Sequence, residues 1–322
     1  MLLIQSSETD NTTSYVIQWL MYYGVKFQRV NGEMSIFSCD FRLESGKDIE
    51  ITLSNTKGES IELSQVSTFW YRRGDWHIGR PKLDNFAGQT FGVLNQEWRI
   101  LRETIEYYLE SRPHLGSIKS EKYHNKIKSL TIANSIGILI PETIITGNKE
   151  SMINRIRETS YITKAIWNMF NIEDKGRHRT VGTNRVREEN IECLQPKFYP
   201  TLIQKEIFKA FELRIFFLGQ QFYSMAIFSQ SDQQTELDFR NYNKEKPNRN
   251  VPFNLPLEIR LKLLKFIKKM NLDTGSIDMV VTQKGEFVFL EVNPLGQFGW
   301  VSDNCNYYLE EKIALYFKSI VS

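Results

Sequence analysis

Cysteine, histidine and long apolar runs are all scarce in this chain of 322 residues, and each scarcity removes a class of function. The three cysteines, Cys39, Cys193 and Cys305, lie far apart and form no paired motif. That argues against a disulfide framework and a Cys-rich zinc site, and it suits a reducing cytoplasm. The four histidines, His77, His114, His124 and His178, show no metal-ligand spacing. No apolar stretch approaches the ~20 residues that a membrane-spanning helix needs. Residues 1–4 are apolar, but the chain turns polar at Gln5 and has no basic leader, so no signal peptide is expected. A strong excess of one charge is missing too. The 41 basic and 38 acidic residues leave +3, too little to indicate nucleic acid. The Walker A loop and the dinucleotide glycine fingerprint are both absent, as are internal repeats and low-complexity tracts. The expectation is a soluble cytoplasmic protein with no nucleic-acid and no membrane partner.

What is present is a globular composition, 41% hydrophobic and 25% charged, in a length that suits two or three domains. Leu2, Leu3 and Ile4 read as a buried strand, and residues 10–13 offer helix N-caps. Tyr15, Val16, Trp19, Leu20 and Tyr23 then recur at helical spacing, Gly24 ends the helix, and 25–30 reads as the next strand. This opening predicts a small α/β domain. Strands at 35–37, 49–53, 60–63 and 67–71 and a helix over 97–111 complete it, with a boundary near 118. Beyond it the pattern predicts a helix over 123–135, a strand over 161–165, a hairpin with a basic rim around 175–187, and a second hairpin from 212–219 and 221–229. A polar, charged loop over 235–250 is expected to move or order on binding. Amphipathic helices are predicted over 257–270 and 304–320.

The stretch from Gly275 to Gly299 carries the most chemistry. Two apolar runs flank a glycine-containing turn, a hairpin signal. If Lys284 and Gly285 are the turn residues, Gln283 pairs with Glu286 and Asp278 faces Glu291, with Asn293 two residues further on the same face. Like charges directly opposite each other destabilise a strand pair, and desolvating a carboxylate costs roughly several kcal/mol. A hard cation with oxygen ligands removes both penalties, and Mg²⁺ held together with nucleotide phosphates is the commonest such arrangement. The competing reading is an ordinary hairpin with its acids in water.

Without a glycine-rich loop, a bound nucleotide would need lysines from separate elements. Lys126 or Lys128, opening a helix, and Lys164, in mid-strand between Ile162 and Ile166, are the candidates. A mid-strand lysine is rarely buried without an anionic partner, although an outward-facing lysine gives the same pattern. Arg72 and Arg73, at a strand end among aromatics, read either as an anion-binding patch or as arginines stacked on Tyr71 and Trp76. The run from Lys175 to Thr180, with Arg177 and Arg179, suits RNA and acidic peptides alike.

Taken together, Asn125-Lys126, residues 137–143, Lys164, residues 204–207, Glu212-Leu213-Arg214, Asp278 and residues 291–294 occur in the order found in ATP-grasp ligases. More narrowly, the chain resembles the maturases of graspetide (microviridin-type) pathways. Its opening over 3–20 and Trp70-Tyr71-Arg72-Arg73 resemble the "grasp-with-spasm" branch. The resemblance implies an α+β ATP-grasp fold with a pre-ATP-grasp α/β domain (1–118), a central domain with the basic hairpin (119–200) and a C-terminal domain with the metal site (201–322). It implies ATP and Mg²⁺ as cofactors. Lys126 and Lys164 would contact the phosphates, with Lys128 as an alternative to the first. Gln204, Lys205, Glu206 and Ile207 would form the adenine hinge through backbone groups, and Glu212 would hold the ribose. Arg214 would sit at the transferred phosphoryl, and Asp278, Glu291 and Asn293 would hold the metal. Arg72, Arg73, Arg177 and Arg179 would attract an acidic precursor peptide.

The implied activity is ADP-forming. Asp or Glu side chains of a ribosomal precursor would be activated as acyl phosphates and joined to Thr or Ser hydroxyls or Lys amines. A homodimer is implied as well. Two alternatives stay open at this point: a ligase that adds free amino acids to a carboxylate, and a nucleotide-binding regulatory module without turnover.

Overall fold

In the computed structural model the opening strand–helix–strand spans Leu2–Ser6, Asn11–Tyr22 and Phe27–Asn31. The structure describes residues 1–31, 35–55, 57–78, 88–166, 170–174 and 177–321, with side chains undescribed at 35–37, 77–78, 88–89, 170–174 and 177–181. Contacts divide the chain into two units. One comprises Met1–Tyr123, Leu272–Thr274 and Gln297–Ser322, the other His124–Asn271 and Gly275–Gly296. No described helix is long and apolar enough to cross a membrane.

In the first unit, four strands run parallel in the order Phe27–Asn31, Leu2–Ser6, Thr68–Tyr71 and His114–Leu115. Parallel strands are covered on both faces, and accordingly Leu2, Leu3, Ile4, Phe69 and Trp70 are buried, with the Trp70 ring 5.4 Å from Phe317 of the helix Leu309–Val321. A second, mainly antiparallel sheet orders Ser60–Glu62, Glu50–Asn55, Ser35–Arg42 and His77–Ile78.

Asp10 starts the first helix, its Oδ1 accepting hydrogen bonds from the Thr12 and Thr13 amides at 3.1 and 3.3 Å. Its other oxygen lies 3.2 Å from Nε of Arg72 and 3.1 Å from Nε of Arg73. Burial pushes the Asp10 carboxyl up, but the two arginines and the amides outweigh it and hold its pKa below the ordinary value. Asp10→Asn keeps a capping oxygen and removes the charge, so its effect isolates the pairing. The variant is expected to be about 3 kcal/mol less stable at neutral pH, as for a broken buried ion pair. A depressed folded pKa stabilises above the unfolded value of 3.8, and that contribution disappears as pH falls through the folded value. Urea unfolding should therefore show the gap between wild type and variant closing below about pH 4.

Two helix boundaries differ from the sequence expectation, each for a capping reason. The helix expected over 123–135 starts only at Lys126, as Lys126–Ser135, and a separate short helix, Ile118–Lys122, precedes it. Asn125 is extended between them, and its side chain accepts from the Lys128 amide at 3.0 Å as an N-cap. The closing helix is likewise two, Gly299–Cys305 and Leu309–Val321, because Asn306 and Tyr308 are left-handed at φ 52° and 53°. Ser302 bridges the break, accepting from the Leu309 amide and donating to Glu310.

The second unit holds a four-stranded antiparallel sheet in the order Asn184–Arg185, Tyr161–Thr163, Lys197–Lys205, Thr143–Asn148. It also holds a five-stranded sheet ordered Arg249–Phe253, Gln221–Phe228, Lys209–Leu218, Thr274–Thr282, Phe287–Asn293. The helix Leu257–Met270 lies where its apolar spacing puts it and buries Leu263, Phe266 and Ile267, Phe266 meeting Phe289 at 4.9 Å. Strands Phe170–Asp174 and Arg177–Val181 pair as a hairpin that lies earlier in the chain than the one expected around 175–187; Lys175, Gly176 and the side chains of Arg177 and Arg179 lie outside the described residues.

Candidate active site

The hairpin Thr274–Thr282/Phe287–Asn293 places Asp278 directly opposite Glu291, by a route the sequence does not reveal. The turn has three residues rather than two. The Thr282 amide bonds the Glu286 carbonyl at 3.0 Å, and Gly285 takes the left-handed conformation at φ 81°. Thr282, not Gln283, therefore faces Glu286. A bulge between Asp278 and Met279 restores the register: Met279 pairs with Phe289 while Asp278 pairs with Glu291, and Leu290 is the extra residue. Bulges re-aim side chains in this way next to active sites.

Both acids are met by cations. Arg214, on the neighbouring strand Lys209–Leu218, donates to both oxygens of Asp278 at 2.8 Å. Glu291 lies 3.3 Å from Lys126 Nζ and 3.3 Å from Arg240 Nη1. Burial raises the Asp278 pKa above the usual carboxylate value; Arg214 opposes that and Glu291 adds to it. Burial would raise Glu291 too, but Lys126, Arg240 and Lys164 outweigh it and hold it low. Lys164 sits one residue past the strand Tyr161–Thr163, not in mid-strand. Its pKa is lowered by burial against the pull of Glu291. Asn293 opposes Ser276 at the strand end, exposed, its side chain accepting from the Leu295 amide at 2.9 Å.

The pair stands at one side of a cleft enclosing about 780 Å³, open solvent included, within the roughly 300–1,000 Å³ of small-molecule sites. Lys164, residues 204–207 and Glu212 also line it. Lys126 and Arg214 touch the lining acids without lining it themselves. The Lys205 and Glu206 amides already bond the carbonyls of Glu142 and Ser160, both at 2.9 Å. Glu212 is buried, bonded to Lys209 Nζ at 2.7 Å and to Ser229 Oγ at 2.8 Å. Burial keeps its pKa raised despite Lys209.

No family model and no curated protein matches the chain. Solved structures do. A RiPP-associated ATP-grasp ligase from Chryseobacterium gregarium, in complex with ADP and a leader and core peptide, matches at 29% identity and a TM-score of 0.82, over 99% of this chain and 95% of that one. The macrocyclase MdnC from Microcystis aeruginosa MRC, bound with precursor peptide MdnA, matches at 27% and 0.78, over 99% and 100%. D-alanyl-alanine synthetase A from Vibrio cholerae, at 16% and 0.57, shares the fold. The chain has the ATP-grasp ligase fold. Its similarity to RiPP ATP-grasp ligases is the resemblance carried by the motif order.

An ATP-grasp site implies Mg²⁺, and the donors here suit it. Among the described residues no group of three or more His, Cys, Asp or Glu could hold a metal, so these residues offer no all-protein cage. The chain offers two carboxylate donors on facing strands with an amide oxygen two residues on. Mg²⁺ binds in that manner, through one or two carboxylates with substrate phosphates and water completing its shell.

Sequence reasoning missed three residues of this ATP-grasp cleft. Lys209 begins the Arg214 strand and is buried. Asp238 accepts from Arg240 at 2.8 Å and from Thr183 at 2.9 Å. These donors outweigh its burial and bring its pKa down to about 2. Asp238 and Arg240 both belong to the charged loop, where only the density of charge was a signal. Arg72 and Arg73 belong to the other unit; Arg72 is buried, beside Asp10 and 5.2 Å from the centre of the Phe298 ring, while Arg73 is part-exposed.

Proposed function

We infer that this chain is an ADP-forming peptide maturase, which activates Asp or Glu side chains of a ribosomal precursor and joins them to Thr or Ser hydroxyls or Lys amines. The observation that carries the reading is the pair Asp278–Glu291, ringed by Lys126, Arg214 and Arg240 beside a nucleotide-sized cleft. Supporting it, the two solved structures described above at 29% and 27% identity are a RiPP-associated ATP-grasp ligase and a macrocyclase, each in complex with peptide.

In this reading Lys126 and Lys164 meet the ATP phosphates, residues 204–207 receive the adenine and Glu212 the ribose. Asp278, Glu291 and Asn293 would hold Mg²⁺, which would supply neutralisation of phosphate charge. A carboxylate oxygen of the substrate attacks the γ-phosphorus and ADP leaves. A hydroxyl or amine then attacks the acyl carbon, loses its proton and expels phosphate. Catalysis is positioning and charge stabilisation by Arg214 and the lysines, with water excluded so that the acyl phosphate is not hydrolysed. Residues 1–118, 119–200 and 201–322 serve as pre-ATP-grasp, central and C-terminal parts. Arg73, Arg177 and Arg179 attract the acidic peptide, and Arg72 holds Asp10. The protein acts in the cytoplasm as a homodimer, which light scattering checks.

The test incubates the protein with ATP, Mg²⁺ and short precursors rich in Thr and acidic residues, and follows mass and ADP. Loss of one water per ADP is expected. A mass gain of one amino acid would select the free-amino-acid ligase instead. Absence of ADP under every condition would leave only the regulatory module.

A further inference from the structure

Lys209 is one of the most buried charged groups of the second unit, and nothing in the scheme above uses it. Its ammonium donates to Glu212 Oε1 at 2.7 Å and to the Leu237 carbonyl at 3.1 Å. Leu237 lies in the segment 236–240, which lines the cleft. One residue on, Asp238 grips the Arg240 guanidinium at Nε and Nη2, both at 2.8 Å, and Arg240 in turn lies 3.3 Å from Glu291. The outer side of this strap is held by Thr183 on Asp238 and by Arg185 on Glu236, at 2.9 and 3.3 Å. Lys209 thus links Glu212 directly to the segment that carries Arg240 to Glu291.

A buried ion pair is a poor device for stability, since a well-packed apolar replacement is often neutral or better. A stabilising role alone would not require a lysine here. We propose that Lys209 is a positioning residue that couples Glu212 to the strap 236–240, so that nucleotide engagement at Glu212 and placement of Arg240 at Glu291 depend on each other. This rests on reading the cleft as the nucleotide site. By linkage, ADP binding tightens the strap, and a tight strap improves ADP binding by the same factor.

The test compares wild type, Lys209→Met, Lys209→Arg and Ser229→Ala by amide hydrogen exchange over 236–240 and by calorimetry with ADP. Ser229 donates to the same Glu212 oxygen; its hydroxyl makes no hydrogen bond of its own to residues 236–240, and the Gln230 side chain that donates to it also donates to the Glu236 carbonyl at 3.2 Å, a bond that Ser229→Ala leaves in place. In wild type, ADP should slow exchange over 236–240. In Lys209→Met the segment should exchange faster without ligand, ADP should no longer slow it, and ADP affinity should fall about 5–150-fold, the usual span of a coupling free energy. Lys209→Arg should recover most of both effects. Ser229→Ala should weaken ADP while leaving the ligand-free strap as in wild type. If Lys209→Met does not fold, Lys209→Gln, which keeps an N–H donor without the charge, takes its place with the same expected losses. Unchanged exchange and affinity would overturn the coupling, and so would a Ser229→Ala strap as loose as that of the lysine variant. The ligand-free exchange arm needs no nucleotide, so failure of wild type to bind ADP would refute the nucleotide reading and leave the Lys209–strap link separately decided.

Discussion

Glu291→Gln should abolish ADP release, by about 10²–10³-fold or more, the usual cost of removing one charge-stabilising group from an active site. The amide copies the shape of the carboxylate and leaves the strand pairing with Asp278 intact. What it removes is the one negative charge on which Lys126, Arg240 and Lys164 converge. Because those cations hold the Glu291 pKa low, the group is ionised throughout the neutral range, so the loss is a full unit of charge. The variant should unfold cooperatively, at a somewhat lower temperature than wild type. A second readout does not depend on turnover: Mg²⁺ should strengthen nucleotide binding to wild type in calorimetry and do so much less in the variant. Unaltered ADP release in a folded Glu291→Gln protein would refute the metal assignment.

Much of the frame was legible in the sequence because it rests on local rules. The helix Leu257–Met270 follows from its apolar spacing, and the pairing of Lys209–Leu218 with Gln221–Phe228 follows from two apolar runs around Gly219. The facing of Asp278 and Glu291 was also legible, yet through a turn that is not the one formed. A two-residue turn with no bulge and a three-residue turn with one bulge give the same pair, and period-two alternation cannot tell them apart. Helix ends failed where a single polar residue decides the matter, at Asn125 and at Asn306. The distant contacts were out of reach of periodicity altogether. Lys126 and Glu291 meet across 165 residues, and only the family motif order joined them; no motif was read through Lys209, Asp238 or Arg240, and all three were missed.

Arg214 offers the sharpest separation of chemistry from stability. Arg214→Met removes both bonds to Asp278 and leaves a buried carboxylate without its main counter-charge, since the pair is about nine-tenths buried on either side. Breaking such a pair costs about 3–5 kcal/mol, most of it the penalty of the stranded charge rather than the worth of the bond. The single variant should therefore be both inactive and markedly less stable, which by itself says nothing about catalysis. Arg214→Met combined with Asp278→Asn removes the stranded charge, and urea unfolding should recover most of the lost stability. ADP release should not recover, because the double variant lacks both the cation proposed for the transferred phosphoryl and one of the two carboxylates proposed for Mg²⁺. Asp278→Asn alone completes the cycle: with Arg214 kept, it reports the loss of the carboxylate by itself. If Arg214 stabilises the transition state, Arg214→Lys, which restores charge without the planar guanidinium, should regain stability with Asp278 while staying well below wild-type turnover. Full turnover in the lysine variant would reduce Arg214 to a counter-ion of Asp278.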